Sequence, residues 1–310
     1  MLRRILAVAF AGALATVSQA VPASAALEPD GHHLGVVLAA TAPTTVRIAA
    51  AGDIACAAPY TTTATTCRHG GTAALIQGRG ARAVLPLGDS QYEQGALSDY
   101  ALSYDRTWGA FKAKTYPAPG NHEYYTPGAS GYYSYFGDRA HGPAGYYAYE
   151  LGSWRLYALN SQCNEVDCAA EVRWLRQDLA AHPHRCSLAY LHEPRFSSGL
   201  HGDSAYAARL WPVLDRRQVD VVLAGHDHDY ERFAPMTASG SVSAAGIRSF
   251  VVGTGGKELR SFQTVHAGSR VRRNGQAGVL FMTLRSGSYS WGFRTVGGNL
   301  RDSGTGSCVS

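Results

Sequence analysis

Five times along this chain a short apolar run ends in glycine or directly in a side chain able to bind a ligand. Residues 46–51 lead into Gly52-Asp53, and 83–87 into Gly88-Asp89-Ser90-Gln91-Tyr92. Residues 115–119 lead into Gly120-Asn121-His122-Glu123, 187–191 into His192, and 219–224 into Gly225-His226-Asp227-His228. Runs this short and this apolar suit strands, several of them buried on both faces, and glycine permits a sharp exit from a sheet. Helical spacing falls between them. Val172, Leu175 and Leu179 mark a helix over 169–181, Ala207, Leu210 and Leu214 one over 206–216, and a third covers 97–111 with Leu102 and Trp108 inward. Strands alternating with helices predict an α/β sheet, in which ligands gather beyond the carboxyl ends of the strands. After Gly240 the helical spacing stops, and 250–253, 279–284 and 289–296 read as strands of an antiparallel closing sheet.

The amino-terminal stretch changes the picture of where the chain works. Residues 1–25 carry Arg3 and Arg4, an apolar stretch and Ala23-Ser24-Ala25, the layout of a cleaved signal peptide. Its apolar part is too short to span a bilayer. Residues 26–44 lack periodicity and read as a linker, with 36–40 as an added edge strand, which leaves 45–310 as one catalytic domain. Losing the two signal arginines lowers the formal net charge from +5 to +3. The longest basic cluster is Arg270 to Arg273, so nucleic acid is not expected as a specific partner, nor a membrane once the signal is removed. The six cysteines behind an export signal predict disulfides and a secreted, extracellular protein. Short loops favour Cys56–Cys67 and Cys163–Cys168, leaving Cys186–Cys308.

The five exits carry Asp53, Asp89, Tyr92, Asn121, His192, His226 and His228, an oxygen and nitrogen set that suits Fe, Mn, Zn or Mg. A single catalytic zinc keeps three protein ligands, so this set divides more naturally over two ions about 3.5–4 Å apart with a shared carboxylate. Each piece alone is weak: Gly-Asp is commonly a turn, and a lone histidine commonly a satisfied core residue. Their joint order is what carries the reading. Gly253-Thr254-Gly255-Gly256-Lys257 resembles a phosphate loop, but Glu258 stands where Ser or Thr is required, so it reads as a turn near the rim.

In this order, and with Tyr230-Glu231-Arg232 after the last histidine, the motifs resemble the calcineurin-like metallophosphoesterases over roughly residues 46–256, and most nearly their purple acid phosphatase branch. The resemblance implies a four-layer αββα sandwich of two mixed β-sheets flanked by helices. It implies that Asp53, Asp89, Tyr92 and His228 hold a ferric ion, and that Asp89, Asn121, His192 and His226 hold a divalent Fe, Zn or Mn, with Asp89 bridging. Asn121, His122 and His201 would contact the phosphate of a small phosphorylated substrate, and His201 would also protonate the leaving group. The implied activity is phosphomonoester hydrolysis by attack of metal-bound hydroxide, with a phosphodiesterase or nucleotidase on the same centre as the alternative. A non-catalytic binding protein of this fold would be expected to lack a ligand, and all seven are present. Two departures stand out: Ala55 where many members have glycine, and Glu193 beside His192, facing either the centre or outward. Tyrosines at 124, 125, 132, 133, 135, 146 and 147 follow the Asn-His pair, and some of them, Tyr124 and Tyr125 first, are expected to wall the cleft.

Overall fold

The computed structural model describes residues 45–309, so the expected signal peptide, linker and added strand lie outside the described residues. Twelve strands form two sheets. The five-stranded sheet has the order β12-β11-β10-β1-β2, from Leu300–Ser307, Ser288–Thr295, Gly278–Arg285, Thr45–Ala51 and Ala83–Pro86. The seven-stranded sheet has the order β3-β4-β5-β6-β8-β7-β9. Its strands are Tyr147–Leu151, Trp154–Ala158, Ser187–Tyr190, Val221–Ala224, Arg248–Val252, Tyr230–Phe233 and Ser269–Arg273. Both sheets mix parallel and antiparallel pairs, as the resemblance implies: β1 runs parallel to β2 and antiparallel to β10, while β4, β5, β6 and β8 are parallel.

Side chains alternate along a strand, and here the alternation feeds two cores. Leu188, Tyr190, Val221 and Leu223 point into the layer between the sheets, with Ile48, Leu85, Leu280 and Met282 from the other side. Ala189, Leu191, Val222 and Ala224 point the other way, onto Leu175, Leu210, Trp211 and Leu214. Burial on both faces explains why these strands read as unbroken apolar runs.

The α-helices are α1 His69–Ile76, α2 Leu97–Asp99, α3 Asn121–Tyr124, α4 Ser130–Phe136, α5 Cys168–Ala181 and α6 Ala207–Arg216. The expected helices at 169–181 and 206–216 are α5 and α6, which pack on each other and on the seven-stranded sheet. Three expectations are corrected. Segment 97–111 is a broken path of α2, a π-helical turn at Tyr100–Tyr104 and a 3-10 helix at Trp108–Lys114. It buries Tyr100, Tyr104 and Trp108, four apart, and leaves Leu102 exposed. Segment 115–119 forms no full strand; its prolines remove ladder donors, and it bridges β2 only at Thr115 and Ala118. Strand β8 lies parallel to β6 in the large sheet, so only β10, β11 and β12 supply the antiparallel closing set.

The three disulfides join Cys56–Cys67 and Cys163–Cys168, the pairs short loops favour, and Cys186–Cys308, the pair left over. Among the described residues no helix is long and apolar enough to cross a membrane.

Candidate metal centre

The exits of β1, β2, β5 and β6 and the 115–120 segment meet at one edge of the sandwich, so the centre straddles both sheets. The Tyr92 hydroxyl lies 2.9 Å from Asp53 Oδ1, 2.9 Å from Asp89 Oδ2 and 3.1 Å from His228 Nε2. His192 Nε2 lies 3.3 Å from Asp89 Oδ2, 3.0 Å from Asn121 Oδ1 and 3.1 Å from His226 Nδ1. His228 Nε2 is 3.3 Å from Asp53 Oδ1. The seven candidate ligands therefore form two contacting groups, Asp53, Asp89, Tyr92 and His228 in one and Asp89, Asn121, His192 and His226 in the other, linked through Asp89. Asp53, Asp89 and His192 also present donor atoms within 4.8 Å of one another, spacing that can hold a metal ion.

Local backbone explains the convergence. Asp53, Asp89 and His226 adopt left-handed φ values of 60°, 48° and 71°, costly for residues with a Cβ and typical of turns that aim a functional side chain. Gly88, at φ 78°, packs so closely that a Cβ there would stand 2.5 Å from the His192 ring. His192 donates Nδ1–H to the Leu87 carbonyl at 2.9 Å, which turns the Nε2 lone pair toward the centre. The backbone N–H of His226 donates to Asp53 Oδ2, and that of His122 to Asp89 Oδ1. Buried Glu123 accepts N–H bonds from Asp89, Ser90 and Gly120 at 2.9, 2.8 and 2.6 Å, tying the second and third motifs together.

The electrostatics match a place built for cations. Burial raises the cost of charge on Asp53 and Asp89, yet their carboxyls stay below the usual range because His228 and His192 lie beside them. Those two imidazoles are in turn pushed up by the carboxylates against the effect of burial. His226, partly buried and facing His192, is pushed down to about 3 by that burial and the neighbouring imidazole. Burial and the two carboxylates hold the Tyr92 phenol well above its ordinary value. Protons on His192 and His228 thus supply the positive charge that two buried carboxylates need. Cations in their place would free both lone pairs and reverse the effect on Tyr92, so the donor set fits a pair of metal ions.

The floor is buried and the rim is open. His122 packs at a tilt against Tyr92 and Tyr125, donates Nδ1–H to the Glu93 carbonyl, and has its Nε2 3.9 Å from Asp89 Oδ2. His201 is exposed, and its ring lies 4.3 Å from that of His226. Buried Asp227 positions that loop, accepting from His201 N at 2.8 Å and from the Ser197 hydroxyl. Alternation along β7 divides the Tyr-Glu-Arg motif between two jobs. Glu231 accepts from Ser198 N and Oγ, bracing the His201 loop, while Tyr230 and Arg232 reach Asp302 on β12 of the other sheet.

Several side chains do otherwise than their sequence positions suggest. Glu193 bonds Gln162 and the Ser204 hydroxyl, a structural tie. Tyr124 turns inward to Asn160 and Tyr133, whereas Tyr125 is exposed and bonds Asn121 at 3.1 Å. Residues 253–257 pack against the first motif, with Lys257 N donating to the Asp53 carbonyl and Lys257 Nζ over the Tyr92 ring. Sequence reading also missed Glu123, signalled by a Glu three residues after the helix cap, and Arg260, which no local pattern marks.

Comparison with known proteins agrees with this geometry. The model of the calcineurin-like phosphoesterase family matches residues 46–230. A purple acid phosphatase, PPD1, from yellow lupin (Lupinus luteus) seeds superposes with a TM-score of 0.67 at 18% identity, covering 85% of this chain and 54% of the lupin one. The chain thus spans about half that protein's length. GAP50, the anchor in the inner membrane complex of Plasmodium, gives 0.63 at 13% identity, covering 86% of this chain and 90% of that one. PhoD gives 0.55 at 12% identity, covering 86% and 70%. At these identities the likenesses show the fold. No curated protein sequence matches the chain.

Proposed function

The chain belongs to the calcineurin-like phosphoesterases, a family of metal-dependent hydrolases, and from that premise we propose that it is a secreted phosphatase acting on phosphomonoesters through two metal ions. The observation that carries the proposal is the convergence of two carboxylates, a phenol, an amide and three imidazoles from both sheets on one buried floor. Asp53, Asp89, Tyr92 and His228 would hold one ion, and Asp89, Asn121, His192 and His226 the other. When bound, the ions supply Lewis acidity and activate water for in-line attack on phosphorus. The chain's own part is to orient: His122, fixed by Glu93 and Tyr125, faces the place where charge builds on the phosphoryl oxygens.

The Tyr92 position supports a ferric ion in the first place, because a strong Lewis acid stabilises phenolate. A purple colour from the phenolate–ferric pair is the expected outcome, and its loss in Tyr92→Phe checks the assignment. Three disulfides support export, as does the signal-like residue pattern at 1–25.

The test is metal analysis of the purified protein together with rates on phosphomonoesters and phosphodiesters. We expect about two ions per chain, activity lost on chelation and restored by metal, and faster turnover of monoesters. Asp89→Ala should lose both ions and turnover together; an active Asp89→Ala protein would contradict the shared-carboxylate assignment.

A further inference from the structure

Arg260 is a guanidinium held against His201 at the rim of the candidate centre, and none of the motifs accounts for it. Its backbone is fixed at both polar atoms: N–H donates to the carbonyl of His228, and Asn274 Nδ2 donates to its carbonyl, both at 3.0 Å. The same strap is sewn to the His201 loop, since Gln263 N donates to the Ser198 carbonyl and His266 N to Ser198 Oγ, both at 2.8 Å. The side chain then forks. Nη2 donates to Glu258 Oε1 at 2.6 Å, and Nη1 to His201 Nε2 at 2.9 Å. Guanidinium has no acceptor, so His201 Nε2 accepts here with its lone pair directed at Arg260. Of five N–H groups two are engaged, and the half-buried head faces the rim beside His201 and His226.

We propose that Arg260 is a substrate-binding residue that selects the dianionic phosphate of a monoester over the monoanionic phosphate of a diester. The inference rests on the phosphoesterase reading above and goes beyond it by assigning the preference. A monoester near neutral pH offers three unesterified oxygens and two charges, and a diester two oxygens and one charge. A planar cation with spare donors in a fixed fork rewards the first more, through bidentate, charge-assisted bonding. Glu258 orients the fork, and His201 fills its free prong until a phosphate oxygen takes the place.

The experiment compares wild type, Arg260→Gln, Arg260→Lys and the double variant Glu258→Gln/Arg260→Gln, each shown by metal analysis to be loaded. The double variant removes the carboxylate that Arg260→Gln would leave unpaired. Rates are read on a monoester and a diester with the same leaving group, with inorganic phosphate as the binding probe. Expected are a fall in monoester kcat/KM on the order of tenfold, the size of one lost charge-assisted hydrogen bond, carried mainly by KM, with a matching loss of phosphate affinity. The diester should change much less, and Arg260→Lys should recover only part, having charge without the fork. Equal losses on both esters, or no loss, would overturn the assignment. A loaded wild type that turns over neither ester would sink the phosphoesterase reading, while phosphate affinity unchanged by Arg260→Gln would still sink this one.

Discussion

Glu123 lies outside the proposed ligand set, yet its carboxylate receives four backbone N–H groups and the Tyr100 hydroxyl. Burial, with Asp89 nearby, lifts its pKa to about 6. Glu123→Ala would leave buried N–H groups unpaired, at about 3 kcal/mol of unfolding free energy. Denaturant titration checks this, and turnover should fall with it because Asp89 and Asn121 lose their common anchor. Glu171 makes a different prediction. Burial pushes its carboxyl up to about 8, against its one bond from Asn160 N. Since the folded value exceeds the unfolded one, the folded chain binds the extra proton, and stability falls as pH rises from about 5 to 8. Glu171→Gln keeps the acceptor, so a flatter stability curve over that window is expected. Exposed Tyr125, against Asn121 and His122, should matter to ester preference: Tyr125→Ala is expected to change relative rates across a panel of leaving groups, and Tyr124→Phe to leave them alone.

Turns govern the site at the scale of elements. In the turn after β2, Gly88→Ala would impose a Cβ both on a left-handed backbone and on the His192 ring. Displacing a ligand by about an ångström costs on the order of a hundredfold in rate, so this substitution should leave little activity while far-UV circular dichroism persists. Such turns were legible because glycine directly precedes the candidate ligand at Asp53, Asp89, Asn121 and His226, whereas Tyr92, His192 and His228 stood out only by their place at the ends of the same apolar runs. Helix 97–111 was not legible in the same way. Apolarity pointed to Leu102, but the chain buries Tyr100, Tyr104 and Trp108: the Tyr100 hydroxyl donates to Glu123, the Trp108 indole N–H donates to Thr72, and the Tyr104 ring packs among aromatic rings while its backbone N–H donates to Gln91. Partners supplied from distant segments decide that outcome, and periodicity carries no trace of them. Arg260 stayed hidden for the same reason, since its meaning lies in a histidine 59 residues away.

For the molecule as a whole, what matters is how two sheets are kept in register. Cys186–Cys308 closes a separation of 122 residues, joining the start of β5 to the strand that ends the small sheet. Chain entropy assigns such a closure about 5 kcal/mol, so Cys186→Ser with Cys308→Ser should lower the denaturation midpoint markedly while activity at 25 °C survives. Asp302, bonded by Tyr230 and Arg232, is a second tie between the layers. The sheets therefore resemble the arms of a calliper. They are pinned where β5 begins, and the candidate centre lies across their tips, where β5 ends. A lesion at the pin would thus slacken the far end first and reach the tips only when the arms part on unfolding.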